Sequence, residues 1–175
     1  MVPWSWAACL AAAALAGSPP TATKVRVTGL FSPDRVADLR ELFAGWPEVK
    51  LGAVDYDHAE AELAFDADKL FGKLKPADVI SRLDERVGQL SHHTFGVKPV
   101  TAVPRDKLTR VEIPVAGLDC KACCLGAYEV VAKVEGVEQA TVSFKDGRVT
   151  ALIDSTKTDR AKLAALLKQR GVEVR

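Results

Sequence analysis

Val111-Glu112-Ile113-Pro114-Val115-Ala116-Gly117-Leu118-Asp119-Cys120-Lys121-Ala122-Cys123-Cys124 is the stretch on which the fold turns. Val111, Ile113 and Val115 alternate with other residues, the period of a strand with one buried face. Ala127, Val130, Val131 and Val134 then recur at helical spacing, and Gly136 is placed to stop that helix. Ala140, Val142 and Phe144 return to alternation. Asp146-Gly147 signals a hairpin turn, and Val149, Ala151 and Ile153 form the returning strand. Leu163, Leu166 and Leu167 mark a second helix closed by Gly171, and Val172-Glu173-Val174 is a short last strand. The order β-α-β-β-α-β predicts an α+β fold of the ferredoxin-like split type.

The same order occurs earlier in the chain, at an offset of 88 residues. Gly29-Leu30 matches Gly117-Leu118, Val49 matches Val137, Tyr56 matches Phe144 and Asp66 matches Asp154, with no gap between them. Val25 and Val27 give the first strand. Ser32-Pro33-Asp34 predicts a helix start with a capping hydroxyl, and Val36, Leu39, Leu42 and Phe43 are the buried stripe. Val54, Tyr56, Ala61, Leu63 and Phe65 form the hairpin. A longer connection follows, Asp68 to Lys75. Val79, Ile80, Leu83, Val87 and Leu90 make the next helix, and Gly96-Val97 leads the last strand. Two tandem ferredoxin-like domains are therefore expected, residues 23–100 and 109–175, with a proline-bearing linker at 101–108.

The 175-residue chain is 48% hydrophobic and 27% charged, an ordinary globular composition. Its formal net charge of +1 gives no sign of nucleic acid or of an anionic membrane surface. Met1 to Gly17 is apolar and Ala14-Leu15-Ala16 has the A-x-A pattern of a cleavage site, although no Lys or Arg precedes Lys24. Residues 1–22 are read as an export signal and leader, which places the protein in the periplasm or outside the cell. An uncleaved N-terminal anchor is the alternative. With the leader removed, Cys120, Cys123 and Cys124 remain. Three thiols in one loop cannot staple distant segments, so they are read as chemical, and as prone to pair with one another in an oxidising compartment.

Cys120 and Cys123 stand three residues apart where a strand gives way to a helix. The positive end of a helix lowers thiol pKa and favours the thiolate, the form that binds soft ions such as Cu(I), and also Zn. Here the second copy resembles the heavy-metal-associated domain family, which includes copper chaperones, the N-terminal modules of copper-exporting ATPases and periplasmic mercury-binding proteins. The family's G-M-x-C-x-x-C loop appears as Gly117 to Cys123, and its following G-V and alternating strand appear as Gly136-Val137 and Thr141 to Phe144. The resemblance covers Thr109 to Arg175. It implies that Cys120 and Cys123 are metal thiolates, that Cu(I) is the leading cargo with Hg(II) and Zn(II) as others, and that the partner is a metal-transporting ATPase or another thiol-bearing protein. Leu118 replaces the family's Met. Val172 stands where the family often has a Tyr, Phe or Lys that screens the site. Cys124 is either a small core residue or a third thiolate.

The first copy resembles the fold but lacks the loop chemistry, with Ser32 opposite Cys120 and Arg35 opposite Cys123. Arginine cannot coordinate a cation. His92-His93 on an extended segment face opposite ways and make a poor chelate, and His58 falls in the hairpin turn. A non-enzymatic metal carrier or scavenger is the leading functional expectation. The others are an interaction or regulatory module with no required metal, and a thiol-disulfide oxidoreductase. No nucleophile triad, phosphate-cradling loop or carboxylate dyad is present to support hydrolysis or phosphoryl transfer.

Overall fold

Alternation in the strands and a helical stripe between them produce the same layered unit twice. The computed structural model describes residues 21–100 and 103–175. The expected signal, residues 1–22, lies almost entirely outside the described residues, as do positions 101 and 102 of the linker. In the first unit β1 is Thr21–Thr28, α1 Arg35–Ala44, β2 Lys50–Asp55, β3 Glu60–Phe65, α2 Ala67–Phe71, α3 Pro76–Leu90 and β4 Gly96–Pro99. In the second, β5 is Leu108–Ala116, α4 Lys121–Ala132, β6 Val137–Ser143, β7 Arg148–Asp154, α5 Arg160–Gln169 and β8 Glu173–Val174. The four-stranded sheets have the orders β2-β3-β1-β4 and β6-β7-β5-β8, antiparallel throughout, so the two folds are superposable in topology.

Register follows from side-chain parity. Val25 lies opposite Ala61, and Ile113 opposite Val149, so that the inward residues of neighbouring strands share one face. Leu39 and Phe43 of α1 with Leu83 and Val87 of α3 cover the first sheet, and all are buried. Cys124, Ala127, Tyr128 and Val131 of α4 with Leu163 and Leu167 of α5 cover the second.

Several local features differ from expectation. Ser32 does not cap α1. Its hydroxyl donates to the Asp34 carboxylate, and Asp34 occupies the N-cap position without a side-chain cap bond. The first turn is instead a tightened one, in which Arg35 N–H and Val36 N–H donate to the carbonyls of Ser32 and Pro33. The connection after Phe65 holds α2, whose N-cap Asp66 accepts from Lys69 N–H. α4 ends at Ala132, so Val134 lies beyond it, and Gly136 makes the following turn with φ +87°. His92 and His93 are not extended; both have left-handed φ, 51° and 61°. The pair lies in a tight turn, so the opposite facing expected of an extended segment does not apply to it.

The two units are joined by more than the linker. Phe31 of the first belongs to the buried core of the second, with its ring centroid 5.7 Å from that of Tyr128. The Tyr128 hydroxyl accepts the buried N–H of Gly29 at 2.6 Å. Val142 N–H of edge strand β6 donates to the Phe31 carbonyl at 2.8 Å. Arg26 pairs with Glu138, and the Gln139 side-chain amide donates to the Tyr56 carbonyl. Gly29 is required at its position: its φ is +95°, and an added Cβ would run into the Thr94 carbonyl and the Phe95 ring.

Candidate metal centre

The loop after β5 turns at Gly117, where φ is +75°, and sets Leu118 into the core at 4% exposed. Leu118 anchors the loop from beneath, and the residues after it rise to the surface. Cys120 takes the N-cap position of α4 in extended conformation, and its Sγ accepts Cys123 N–H at 3.1 Å. That bond uses one of the four N–H groups that a helix start leaves unpaired. In the thiolate form it would stabilise the charge on Cys120, in addition to the helix dipole.

Cys120 is exposed and Cys123 half-buried. Their Cα atoms are 5.1 Å apart and their sulfurs are joined as a disulfide. The two positions therefore bring both sulfurs to one point without help from another segment. Cys124 goes elsewhere. It is 6% exposed, its Sγ points toward the Leu118 carbonyl at 4.0 Å, and burial raises its pKa. In this structure Cys124 is one of the buried core residues of the second domain. Among the described residues no group of three or more His, Cys, Asp or Glu side chains is arranged to hold a metal ion. The loop itself offers two sulfurs.

Each sulfur borders a different hollow. Cys123 lines a groove between α4 and α5 that Val172 also borders. Cys120 lines a cleft of about 680 Å³ between the two domains. The first domain supplies Phe31, Ser32, Asp34, Arg35 and Tyr56 to this cleft, so its equivalent loop faces the cysteine loop across it. Asp34 has a lowered pKa, chiefly through the Ser32 hydrogen bond and to a smaller degree through Lys121 across the cleft.

Arg35, in the position that matches Cys123, is held by its surroundings. Its guanidinium lies 5.3 Å from the Phe31 ring centroid and 4.5 Å from that of Phe95, and it pairs with Asp38. His58 is likewise engaged, with Nδ1 at 2.9 Å from the Asp55 carboxylate. Tyr128, Phe31, Arg26 and Glu138 were not singled out from sequence. The signal for Tyr128 was present: Cys124, Ala127, Tyr128 and Val131 follow i, i+3, i+4, i+7, and a buried Tyr calls for a hydroxyl partner.

No protein-family profile matches the chain. Among solved structures it is similar to oxidised MerP from Ralstonia metallidurans CH34 (28% identity, 39% of this chain and 94% of that one, TM-score 0.37). It is also similar to the N-terminal soluble domains of Bacillus subtilis CopA (17% identity, 89% and 94%, TM-score 0.36). Among curated proteins it is 31% identical over 61 residues to the mercuric transport protein periplasmic component of Serratia marcescens, covering 35% of this chain and 67% of that protein. With that identity spread over two thirds of the relative, the chain belongs to the heavy-metal-associated domain family.

Proposed function

We propose that the protein binds one soft heavy-metal ion through Cys120 and Cys123 and hands it on by ligand exchange. The carrying observation is that the N-cap and third positions of α4 bring two sulfurs together at the surface, with one of them already accepting a helix-start N–H. Reduction of the disulfide frees two thiolates. A two-coordinate, near-linear dithiolate suits Cu(I), the preferred cargo, and Hg(II); Zn(II) asks for further ligands. A bound Cu(I) leaves one net negative charge on the loop. Lys121 is the nearest compensation in sequence, and it has no ion-pair partner among the described residues. Val172 brings neither charge nor hydrogen bond.

Transfer proceeds as a partner's thiolates join as third and fourth ligands and Cys120 and Cys123 leave in turn. The partner is a thiol-bearing protein such as a metal-transporting ATPase. The name of the Serratia marcescens relative supports an exported, periplasmic setting. Among the described residues no helix is long and apolar enough to cross a membrane. The first domain, without ligand cysteines, binds no ion in its equivalent loop.

The test is Cu(I) stoichiometry on the intact, reduced chain, with Hg(II) and Zn(II) in competition. One Cu(I) per chain is expected, lost in Cys120→Ala and in Cys123→Ala. Retention of tight binding in the double variant would refute the assignment. A second reading, thiol-disulfide oxidoreductase, draws on the disulfide itself. Insulin reduction in the presence of dithiothreitol separates the two, and no acceleration is expected.

A further inference from the structure

The inter-domain cleft has walls from both halves of the repeat. Tyr56 and Phe144, equivalent hairpin-tip residues, both line it, together with Phe31. Their fates differ. The Tyr56 carbonyl is taken up by Gln139 in the domain contact, while Phe144 is 62% exposed. A hollow of about 680 Å³ with aromatic walls is of the size that takes a small molecule.

Its polar groups favour an anion. Lys121 and Lys145 line it and form no ion pair among the described residues, whereas Arg110 and Arg148 are paired with Glu112. Three carboxylates line it as well, Asp34, Asp119 and Asp146, against five basic side chains, Arg35, Arg110, Lys121, Lys145 and Arg148, an excess of two positive charges on the walls. The reactive group at the rim is the exposed sulfur of Cys120, held in a disulfide that must open before a metal can bind. Cys124 is unsuited to open it, because its thiol is buried in the core and points toward the Leu118 carbonyl.

We propose that this cleft is a binding site for a small anionic thiol that reduces the Cys120–Cys123 disulfide. The cleft positions the thiolate of the bound molecule against Sγ of Cys120. A sulfur-sulfur bond forms between them as the Cys120–Cys123 bond breaks, and the electron pair goes to Sγ of Cys123 as a thiolate at the start of α4. A second molecule of the same thiol then attacks the mixed disulfide at the small-molecule sulfur. It releases Cys120 as a thiolate and departs as the symmetric disulfide of the small thiol. Two thiols supply the two electrons. The first domain thereby acquires a role, as one wall of the site that readies its neighbour. The proposal rests on the metal-binding reading only for its purpose.

The test uses the full-length disulfide form, with glutathione as the anionic probe and 2-mercaptoethanol as the neutral one. Opening is followed by alkylation and mass measurement, with rapid acid quench to locate the mixed disulfide. Expected results are a glutathione rate that saturates with concentration, a mixed disulfide on Cys120, and a loss of about fivefold or more with glutathione in Lys145→Glu. The 2-mercaptoethanol rate should stay within about twofold, and the glutathione preference should fade at high salt, as charge attraction at an open surface does. Phe144→Ala, at an exposed tip, should also slow glutathione selectively. Equal slowing of both thiols, no slowing of either, or a mixed disulfide on Cys123 would overturn the proposal. Cu(I) uptake after reduction by a phosphine is measured in parallel. If wild-type protein fails there while the cleft results hold, the metal reading falls and the thiol site stands.

Discussion

Replacing Phe31 by Ala tests whether the two domains are locked by a shared core. Phe31 sits in the first domain, yet it is 9% exposed among the side chains of the second. Truncation removes the ring from that core, along with its contact to Tyr128 and the Arg35 guanidinium stacked on it. Burying and packing a Phe is worth roughly 3–5 kcal/mol by Phe→Ala truncation, a range that already includes the neighbouring ring contacts. At about 1.4 kcal/mol per factor of ten, even the low end weakens docking by about 100-fold. Two amides report docking directly, Gly29 N–H on the Tyr128 hydroxyl and Val142 N–H on the Phe31 carbonyl. Native-state hydrogen exchange is the assay. Both amides should exchange about 100-fold faster in Phe31→Ala, while the Val25–Ala61 ladder inside the first sheet keeps its protection. Unchanged Gly29 and Val142 protection would refute the lock. A matching fall at Val25 and Ala61 would mean that Phe31 holds the first domain itself together and not its docking.

Cys124→Ala should keep Cu(I) affinity within about tenfold, or roughly 1.4 kcal/mol, because its thiol faces the Leu118 carbonyl; X-ray absorption should count two protein sulfurs in both wild type and variant. In the reduced, metal-free state, Cys120→Ser with Cys123→Ser should leave the thermal midpoint almost unchanged, since the core is built from Val, Ile and Leu; calorimetry checks this. Glu60 is buried, which by itself raises its pKa, but hydrogen bonds from Lys24 and Arg105 outweigh burial and bring the net pKa down. Its contribution is therefore present above the unfolded carboxylate pKa and is lost as pH falls through the depressed folded value. Glu60→Gln should cost about 2 kcal/mol at neutral pH and flatten the acid limb of the stability curve, as read by denaturant midpoints across pH.

Both folds were legible because most of the strands alternate and the glycine turn after the first strand recurs. Gly29 and Gly117 both take positive φ, and they stand in the same place in the two copies. The cysteine pair was legible for the same reason, since Val111 to Val115 ends where α4 begins. Local capping was less so. Pro33 and Asp34 suggested a regular start for α1, but Ser32 preferred the Asp34 carboxylate to the helix N–H groups. Cys124 needed the correct helical stripe: counting from Ala127 through Val130 and Val134 hides it, whereas counting from Cys124 through Tyr128 and Val131 places it in the core. The inter-domain contacts were not legible, because Phe31, Arg26 and Glu138 carry no periodicity that points outside their own unit. Only a spatial partner gives them meaning.

The linker holds a further consequence in its Arg105 clasp. Arg105 pairs with Asp55 and with Glu60, both in the first domain. Eight residues, 100–107, separate β4 from β5, but the clasp fastens the sixth of them back onto β2 and β3, so only Asp106 and Lys107 span the remaining distance. A tether that short gives its two ends a local concentration in the millimolar range or above. At a local concentration of about 1 mM, a contact worth only about 4 kcal/mol at a 1 M standard state is already half closed. The surface around Phe31 can then stay shut as an intramolecular contact while being far too weak to hold two separate chains. Arg105→Ala would dilute one domain in the other's presence with every residue of the contact left in place.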